Sequence, residues 1–330
     1  MKPYVSVVTP TFNRLGSLER LLEALAKQTY PPTDFEVVVV DDGSTDGTVE
    51  RVRGLALPYP LRILAQPHGG PARARNLGVE QARGTLIVFL DDDVVPFPDL
   101  IAAHVAIHEV DPDVVVVGPM SPPRDWSRPA WIRWEEEKLQ LQYQAMLEGQ
   151  YSCTWRQFYT GNASLSRAEF LAAGGFDPEF ERAEDVELGY RLAIRGARFV
   201  FDPRADVLHY PARSFESWCR TPYQYGYYDV VMHRDKGYTT MFLASQEFYD
   251  RNLLNRFAAR LCVGRPILLE GAVFGLARLA RAAERLGARR VAASTLSGIF
   301  NLLYWQGVCD ALGGAEHVWR SVAASGAVRA

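Results

Sequence analysis

Leu86-Ile87-Val88-Phe89-Leu90-Asp91-Asp92-Asp93 sets five apolar residues against three carboxylates. Five apolar residues without alternation read as a strand buried on both faces, as in a parallel sheet covered by helices. Residues 5–9 (ended by Pro10), 35–40 (ended by Asp41-Asp42-Gly43), 61–65 and 114–117 repeat that pattern. Leu15, Leu18, Leu21, Leu22 and Leu25 recur at helical spacing between the first two runs, and the Ala/Arg-rich residues 71–83, ended by Gly84, read as a second helix. Strands alternating with helices predict an α/β domain over residues 1–225, with a mostly parallel sheet flanked by helices, a Rossmann-like nucleotide-binding half. Residues 120–159, rich in Pro, Trp, Gln and Tyr, read as long loops with one helix near 134–147. Past 225 the strand signal fades, and 253–312 reads as several helices, so 226–330 is expected to be a helical extension.

The 330 residues allow one large or two smaller domains and a core that needs no disulfide. With 48% apolar and 23% charged residues, the chain is neither disordered, collagen-like nor a coiled coil. The four cysteines form no CxxC pair, which fits a reducing compartment and speaks against structural zinc. The first residues run directly into a strand pattern, so a secretory signal is not expected and a cytoplasmic location is. A net charge of −3 gives no reason to expect nucleic acid. The charge is uneven: residues 226–330 carry 13 Lys/Arg against 8 Asp/Glu, net +5, which leaves −8 for the rest.

Asp91-Asp92-Asp93 stands at the carboxyl end of a buried strand, where open α/β sheets bind ligands. Unpaired, three carboxylates would repel one another and raise their own pKa values; a divalent cation with oxygen ligands, Mg²⁺ or Mn²⁺, would relieve this. The competing reading is a solvated turn with capping aspartates. Asp41-Asp42-Gly43-Ser44-Thr45-Asp46 ends the second strand. There an acidic side chain can accept from a base or ribose, or the segment is a plain turn and N-cap. Thr9-Pro10-Thr11-Phe12-Asn13 follows the first strand without GxGxxG, and no GxxxxGK[ST] occurs anywhere.

Together these segments resemble a family 2 glycosyltransferase of the GT-A fold. The resemblance rests on Val5-Ser6-Val7-Val8-Thr9-Pro10-Thr11-Phe12-Asn13-Arg14, Asp41 to Asp46, Gly69-Gly70-Pro71-Ala72-Arg73-Ala74-Arg75-Asn76, Asp91-Asp92-Asp93, Gly161-Asn162-Ala163-Ser164-Leu165, Gly174-Gly175-Phe176-Asp177 and Glu184-Asp185-Val186-Glu187-Leu188, in that order over roughly 4–212. It implies that Pro10, Thr11, Phe12 and Asp42 hold the nucleoside, with Asp42 on the base. Gly70 and Asn76 would line the nucleotide pocket. Asp91 would face ribose and metal, Asp93 would ligate the metal on the diphosphate, and Asp92 joins the donor site because a run of three permits either register. Gly161 and Asn162 would line the cleft between donor and acceptor. Asp185 would be the catalytic base with Glu184 on the acceptor, and His209 would reach the metal. The implied cofactor is Mn²⁺ or Mg²⁺. The implied partners are a nucleotide-sugar donor, UDP-linked, and a cell-envelope glycan or lipid-linked acceptor.

Elementary chemistry agrees with those roles. Negative charge grows on the departing diphosphate, and a metal stabilises it. A carboxylate can take the acceptor's proton. One base and no separate nucleophile predict a single displacement with inversion.

Several features have two readings. Glu184 and Asp185 also suit an ordinary helix start, where acids favour the positive dipole end. Glu187 and Arg191 are an i, i+4 pair expected to be structural. Arg73 and Arg75 could approach phosphates or lie on a solvated helix face, and they rank below Asn76. Trp126, Trp131, Trp134 and Trp155 form either a local core or an acceptor wall, with the core favoured. Leu276, Leu279, Ala283 and Leu286 fall on one helical face and Arg278, Arg281 and Arg285 on another, followed by 18 residues, 291–308, without a charge but with too many polar groups to span a membrane. Region 253–312 is thus either a packed helical subdomain or a peripheral contact with the inner face of the cell membrane. The rivals to a transferase are a nucleotidyltransferase making nucleotide sugars, which would want a Gly-rich basic loop where Pro10-Thr11-Phe12-Asn13 stands, and a non-catalytic sugar- or membrane-binding protein on the same fold.

Overall fold

The computed structural model describes residues 3–238 and 244–324. The expected extension 226–330 therefore includes two stretches, 239–243 and 325–330, that lie outside the described residues. Ten strands occur among the described residues: β1 (Val5–Thr11), β2 (Phe35–Asp41), β3 (Leu61–Ala65), β4 (Leu86–Leu90), β5 (Val94–Pro96), β6 (Val114–Val117), β7 (Met120–Ser121), β8 (Asn162–Ser166), β9 (Arg198–Phe201) and β10 (Val207–His209). Seven form one sheet in the order β3-β2-β1-β4-β8-β6-β9, and β5-β10-β7 form a second, small sheet. Every pairing in the large sheet is parallel except those of β8, which lies antiparallel between β4 and β6.

The β-branched runs supply both faces of this sheet. Val5, Val7, Val37, Val39 and Val88 pack into one apolar cluster with the leucines of the helix Leu15–Leu25. Val8, Val38, Val40, Ile87 and Phe89 pack into another with the helices Pro71–Gln81 and Glu184–Ile194. Alternate residues of one strand thus point to opposite cores, as period-2 geometry demands.

The chain reverses its direction of travel across the sheet at β1 and β4, the switch point where such sheets bind ligands. The two strands pair over Val5↔Leu86 to Val8↔Phe89 and no further. β1 runs two residues past the expected end at Thr9, because Pro10, which has no N–H to donate, enters after that ladder has stopped. Beyond the ladder the strand ends continue into Pro10-Thr11-Phe12 and Asp91-Asp92-Asp93.

The chain divides into two compact units, Met1–Trp126 with Lys138–Ala212, and Ser127–Glu137 with Arg213–Ala330. Residue 225, the expected boundary, falls inside the helix Phe215–Arg234 of the second unit. That unit is helical. Its long helix Arg289–Leu312 buries Leu296, Ile299, Leu302, Trp305 and Val308. Gly307 and Gly226 bring it against Phe215–Arg234 so closely that a Cβ on either glycine would overlap the other helix's backbone at Tyr223 or Tyr304. Residues 291–308 thus belong to a buried core helix. Among the described residues no helix is long and apolar enough to cross a membrane. The tryptophans form no single wall. Trp126 contacts Tyr210 and Trp155 contacts Tyr190 in the first unit, while Trp131 meets Phe215 and Trp134 meets Trp218 in the second.

Candidate active site

All the predicted site residues belong to the first unit. At the end of β2, the buried Asp42 accepts from the backbone N–H groups of Gly69 and Gly70 at 2.9 Å each and from Gln66 Nε2 at 2.6 Å. His68 Nδ1 stands 2.8 Å from its Oδ2. Gly70 adopts φ 86° as the helix Pro71–Gln81 begins, a conformation that glycine takes without a steric cost. Asp42 thus pins the loop 66–70 to the end of β2. On that loop His68 stacks on Phe12, ring centroids 4.3 Å apart, and the pair forms a solvent-facing aromatic platform. Asn13, at φ 53°, locks the neighbouring turn: its Oδ1 accepts from Thr45 N, and its own N–H donates to Ser44 Oγ.

The three aspartates at the end of β4 have separate partners. Asp91 Oδ1 accepts from Arg75 Nη2 at 2.7 Å. Asp92 accepts from Thr11 Oγ1 at 2.8 Å and from Arg14 Nη1 at 3.1 Å. Asp93 accepts from the same Arg14 nitrogen at 2.7 Å, and its other oxygen lies 3.5 Å from His209 Nε2. The expectation of unpaired carboxylates therefore changes: two arginines supply the cations that sequence reasoning sought only in a metal. Burial pushes Asp92 up to about 6, although Arg14 draws it down. Burial would raise Asp93 too, but the hydrogen bond and charge of His209, with Arg14, hold it at about 2. As pH falls, Asp93 is the carboxylate of this pair that stays ionised longer.

His209 reaches Asp93 because β10 pairs antiparallel with β5, with His209 opposite Val94. The backbone of Tyr210 fixes the register, its N–H donating to Asp93 O at 2.8 Å. Among the described residues no three His, Cys, Asp or Glu side chains converge as a metal cage. Asp93 and His209 offer two donors, a carboxylate and an imidazole. That set fits a Mg²⁺ or Mn²⁺ ion that takes its remaining ligands from substrate phosphate and water. Asp91, also expected on the metal, has Arg75 on Oδ1, and its Oδ2 lies 3.1 Å from where a Cβ on Gly161 would stand.

Arg75 ties this strand end to the expected base. It is almost fully buried, and its Nη1 donates to Glu184 Oε1 at 2.8 Å while Nη2 holds Asp91. Glu184 and Asp185 open the helix Glu184–Ile194 after Ala183, which takes φ 63°, a left-handed conformation unusual without glycine. Asp185 accepts from Val186 N at 2.7 Å. Burial and then the neighbouring Glu184 charge push its carboxyl up to about 7, with Arg75 pulling against them. A carboxylate that titrates near neutrality suits general-base work.

Other predicted residues are engaged elsewhere. Asn76 bonds both ends of its amide to the backbone of Phe176, donating at 2.8 Å and accepting at 2.9 Å, so it clamps the loop 174–176. Asn162 is fully buried. Its Nδ2 donates to Pro119 O and Ala205 O, and its Oδ1 meets His104 Nε2 at 3.0 Å. Gly161 leaves the room beside Asp91 that a side chain would fill. Glu187 and Arg191 do form the expected structural pair. Arg14, Gln66 and His68 were not given roles from sequence. Arg75, which the sequence allowed on a solvated face, is buried, and its spacing from Ala72 and Val79 places it on their face.

The model of the family described as Glycosyl transferase family 2 matches residues 6–171, half of the chain. The chain belongs to that family. A validoxylamine A glucosyltransferase from Streptomyces hygroscopicus subsp. limoneus is 37% identical over 220 residues, covering 59% of this chain and 49% of the relative. Glycosyltransferase AglE of Haloferax volcanii is 43% identical over 96 residues, covering 28% of this chain and 32% of that protein. The chain thus matches about half or less of these relatives' length. The mannosyltransferase PcManGT from Pyrobaculum calidifontis, solved with GDP-Man and Mn²⁺, superposes with a TM-score of 0.61 at 24% identity, covering 93% of this chain and 87% of that one. Residues 1–349 of Staphylococcus aureus TarS, solved with UDP, superpose with a TM-score of 0.56 at 21% identity, covering 93% and 90%. At those identities the likeness is one of fold, the GT-A fold expected from the motifs.

Proposed function

We propose that this chain is an inverting glycosyltransferase, moving a sugar from a nucleoside diphosphate donor, a UDP-sugar, to a hydroxyl of a glycan or lipid-linked acceptor. The observation that carries this reading is the Arg75 bridge from Asp91, at the ligand-binding end of the sheet, to Glu184, beside Asp185. It ties the donor edge and a carboxylate of near-neutral pKa into one charged network.

In this reading the Phe12–His68 platform receives the base, and Asp42 holds the loop that carries His68. Asp93 and His209 would hold Mn²⁺ or Mg²⁺, which when bound neutralises charge growing on the diphosphate. Asp185 takes the proton of the acceptor hydroxyl as its oxygen attacks the anomeric carbon. The bond from that carbon to the diphosphate breaks with its electron pair leaving on the phosphate oxygen, and the configuration inverts. Glu184, held by Arg75, orients the acceptor. The relatives' names, and the nucleotides and Mn²⁺ in the solved neighbours, support this chemistry.

The test is release of nucleoside diphosphate from a panel of nucleotide sugars, with Mn²⁺, with Mg²⁺ and with chelator, alongside thermal stabilisation by each donor. The expected result is metal-dependent release from one donor, with Asp185→Asn retaining donor stabilisation but losing roughly 10²–10⁴ of the rate. Neither release nor stabilisation by any donor would reject the reading. Pyrophosphate exchange with a sugar phosphate would reassign the chain to nucleotidyl transfer.

A further inference from the structure

The second unit leaves large apolar side chains in water along two consecutive helices, Leu253–Cys262 and Pro266–Arg285. On the first, Leu253 is 74% exposed, Leu254 75% and Phe257 66%, with Leu261 beside them. At 100° per residue these four occupy an arc of about 100°. Arg260 and Arg256 flank that arc within roughly 60°, while Ala259 and Cys262 face the core. The face continues through the corner, where Ile267 is 86% exposed and Leu268 also meets solvent, to Phe274 at 63%. Further along the second helix the exposed surface mixes Arg278, Arg281 and Arg285 with the exposed Leu279 and Leu286, and Arg289 and Arg290 follow. Residues 251–290 hold nine arginines, no lysine and two acids, Glu270 and Glu284. Glu284 is paired with Arg133.

We infer that this helical corner is a docking surface for an anionic lipid bilayer, with Leu253, Leu254, Phe257 and Ile267 entering the headgroup boundary and the arginines meeting lipid phosphates. Charge complementarity decides the occupant. An apolar arc bordered by arginines matches a surface that is apolar within and negative outside. A second copy of this chain would instead set the exposed Arg278, Arg281, Arg285, Arg289 and Arg290 against their own kind. A groove of about 410 Å³ on the same helix, lined by Leu269, Val273, Phe274 and Leu303 with Arg278, Arg281 and one acid, Glu270, offers an acyl chain apolar contacts beside two guanidinium groups. The proposal stands apart from the transferase reading, because it needs no donor and no turnover.

The test is flotation of the purified chain with neutral phosphatidylcholine vesicles and with vesicles containing phosphatidylglycerol. The chain should float with the anionic vesicles, not the neutral ones, and high salt should weaken binding. Leu254→Ser with Phe257→Ser should reduce binding at least about tenfold, and Arg285→Ala about fivefold. Both sites are exposed, and unchanged circular dichroism and thermal midpoint verify that the variants fold. Equal binding to neutral vesicles, or no binding to either, overturns the proposal. So does a dimer seen by light scattering that the Leu254/Phe257 variant dissolves while vesicle binding is absent.

Discussion

Replacing Arg75 with lysine keeps the charge and removes the fork. The arginine makes two charge-assisted hydrogen bonds, 2.7 Å to Asp91 and 2.8 Å to Glu184. One ammonium on a flexible stem cannot repeat that planar bridge between two carboxylates. A hydrogen bond to a charged group contributes about 1.5–3 kcal/mol. The Asp91 bond sits at the low end, since that side chain is 35% exposed, and the bond to the buried Glu184 at the high end. If lysine keeps one of the two, Arg75→Lys destabilises the first unit by about 1.5–3 kcal/mol. For a unit of this size that is a fall of roughly 3–12 °C in thermal midpoint. Arg75→Met strands both carboxylates and should cost about 3–5 kcal/mol. The functional consequence is separate from stability. Arg75 lowers the Asp185 pKa against burial and Glu184, so weakening it should move the acidic limb of the pH–rate profile upward from near 7. Urea melts and that profile, measured on wild type and Arg75→Lys, check both statements. A lysine variant equal to wild type in midpoint and acidic limb would refute the bridge as the element that joins the two sides of the site.

Asp185 binds its proton more tightly in the folded state, so its ionisation opposes folding from about pH 4 upward and fully above pH 7. Asp185→Asn should therefore be more stable than wild type at pH 8 and equal to it at pH 3.5, by urea melts at both. His104 and His108 have the opposite sign: burial lowers each to about 4. Their stabilisation is present above pH 6.5 and is lost as pH falls toward 4, with proton uptake on unfolding in that window that calorimetry in buffers of different ionisation heat will detect and that His108→Gln will reduce. Gly307→Ala should destabilise the second unit by about 3 kcal/mol, the upper range for overpacking. Gly271→Ala, where a Cβ meets nothing within 4 Å, should stabilise its helix by up to about 1 kcal/mol; thermal melts compare the two.

The parallel strands were legible because β-branched runs are buried on both faces, and the strand-end aspartates because carboxylates there are chemically conspicuous. The antiparallel β8 was not. Asn162-Ala163-Ser164-Leu165-Ser166 carries no β-branched residue, and what lets it enter the sheet lies far off in the chain: Asn162 and Ser164 are matched by His104 and His108. The same residue type thus read as a cleft residue while serving as an interior bond. His209 was expected beside Asp93 from the resemblance alone, since no local pattern reveals that two three-residue strands will pair across more than a hundred positions. The pairing of Arg14 with Asp92 and Asp93 was invisible for a similar reason: repulsion among carboxylates is visible in a sequence, but the identity of the relieving cation is a matter of tertiary placement. The helix Phe215–Arg234 runs across residue 225, where the strand signal fades, and Pro222 inside it weakens the local helical pattern.

The ladder between β1 and β4 ends early in the main chain. The ladder stops at Val8 and Phe89, and Pro10 then withholds a donor that could have extended it. The ladder's end is thereby written in a different layer from the site's side chains. Phe12 and His68 sit on loops and take no part in the ladder, so exchanging them leaves the sheet's hydrogen bonding intact. Replacing Pro10 would act on the sheet itself, restoring an amide between strand ends that Thr11 and Asp92 already join at 2.8 Å. The aromatic pair on the loops and the proline in the strand thus belong to separate layers of the fold.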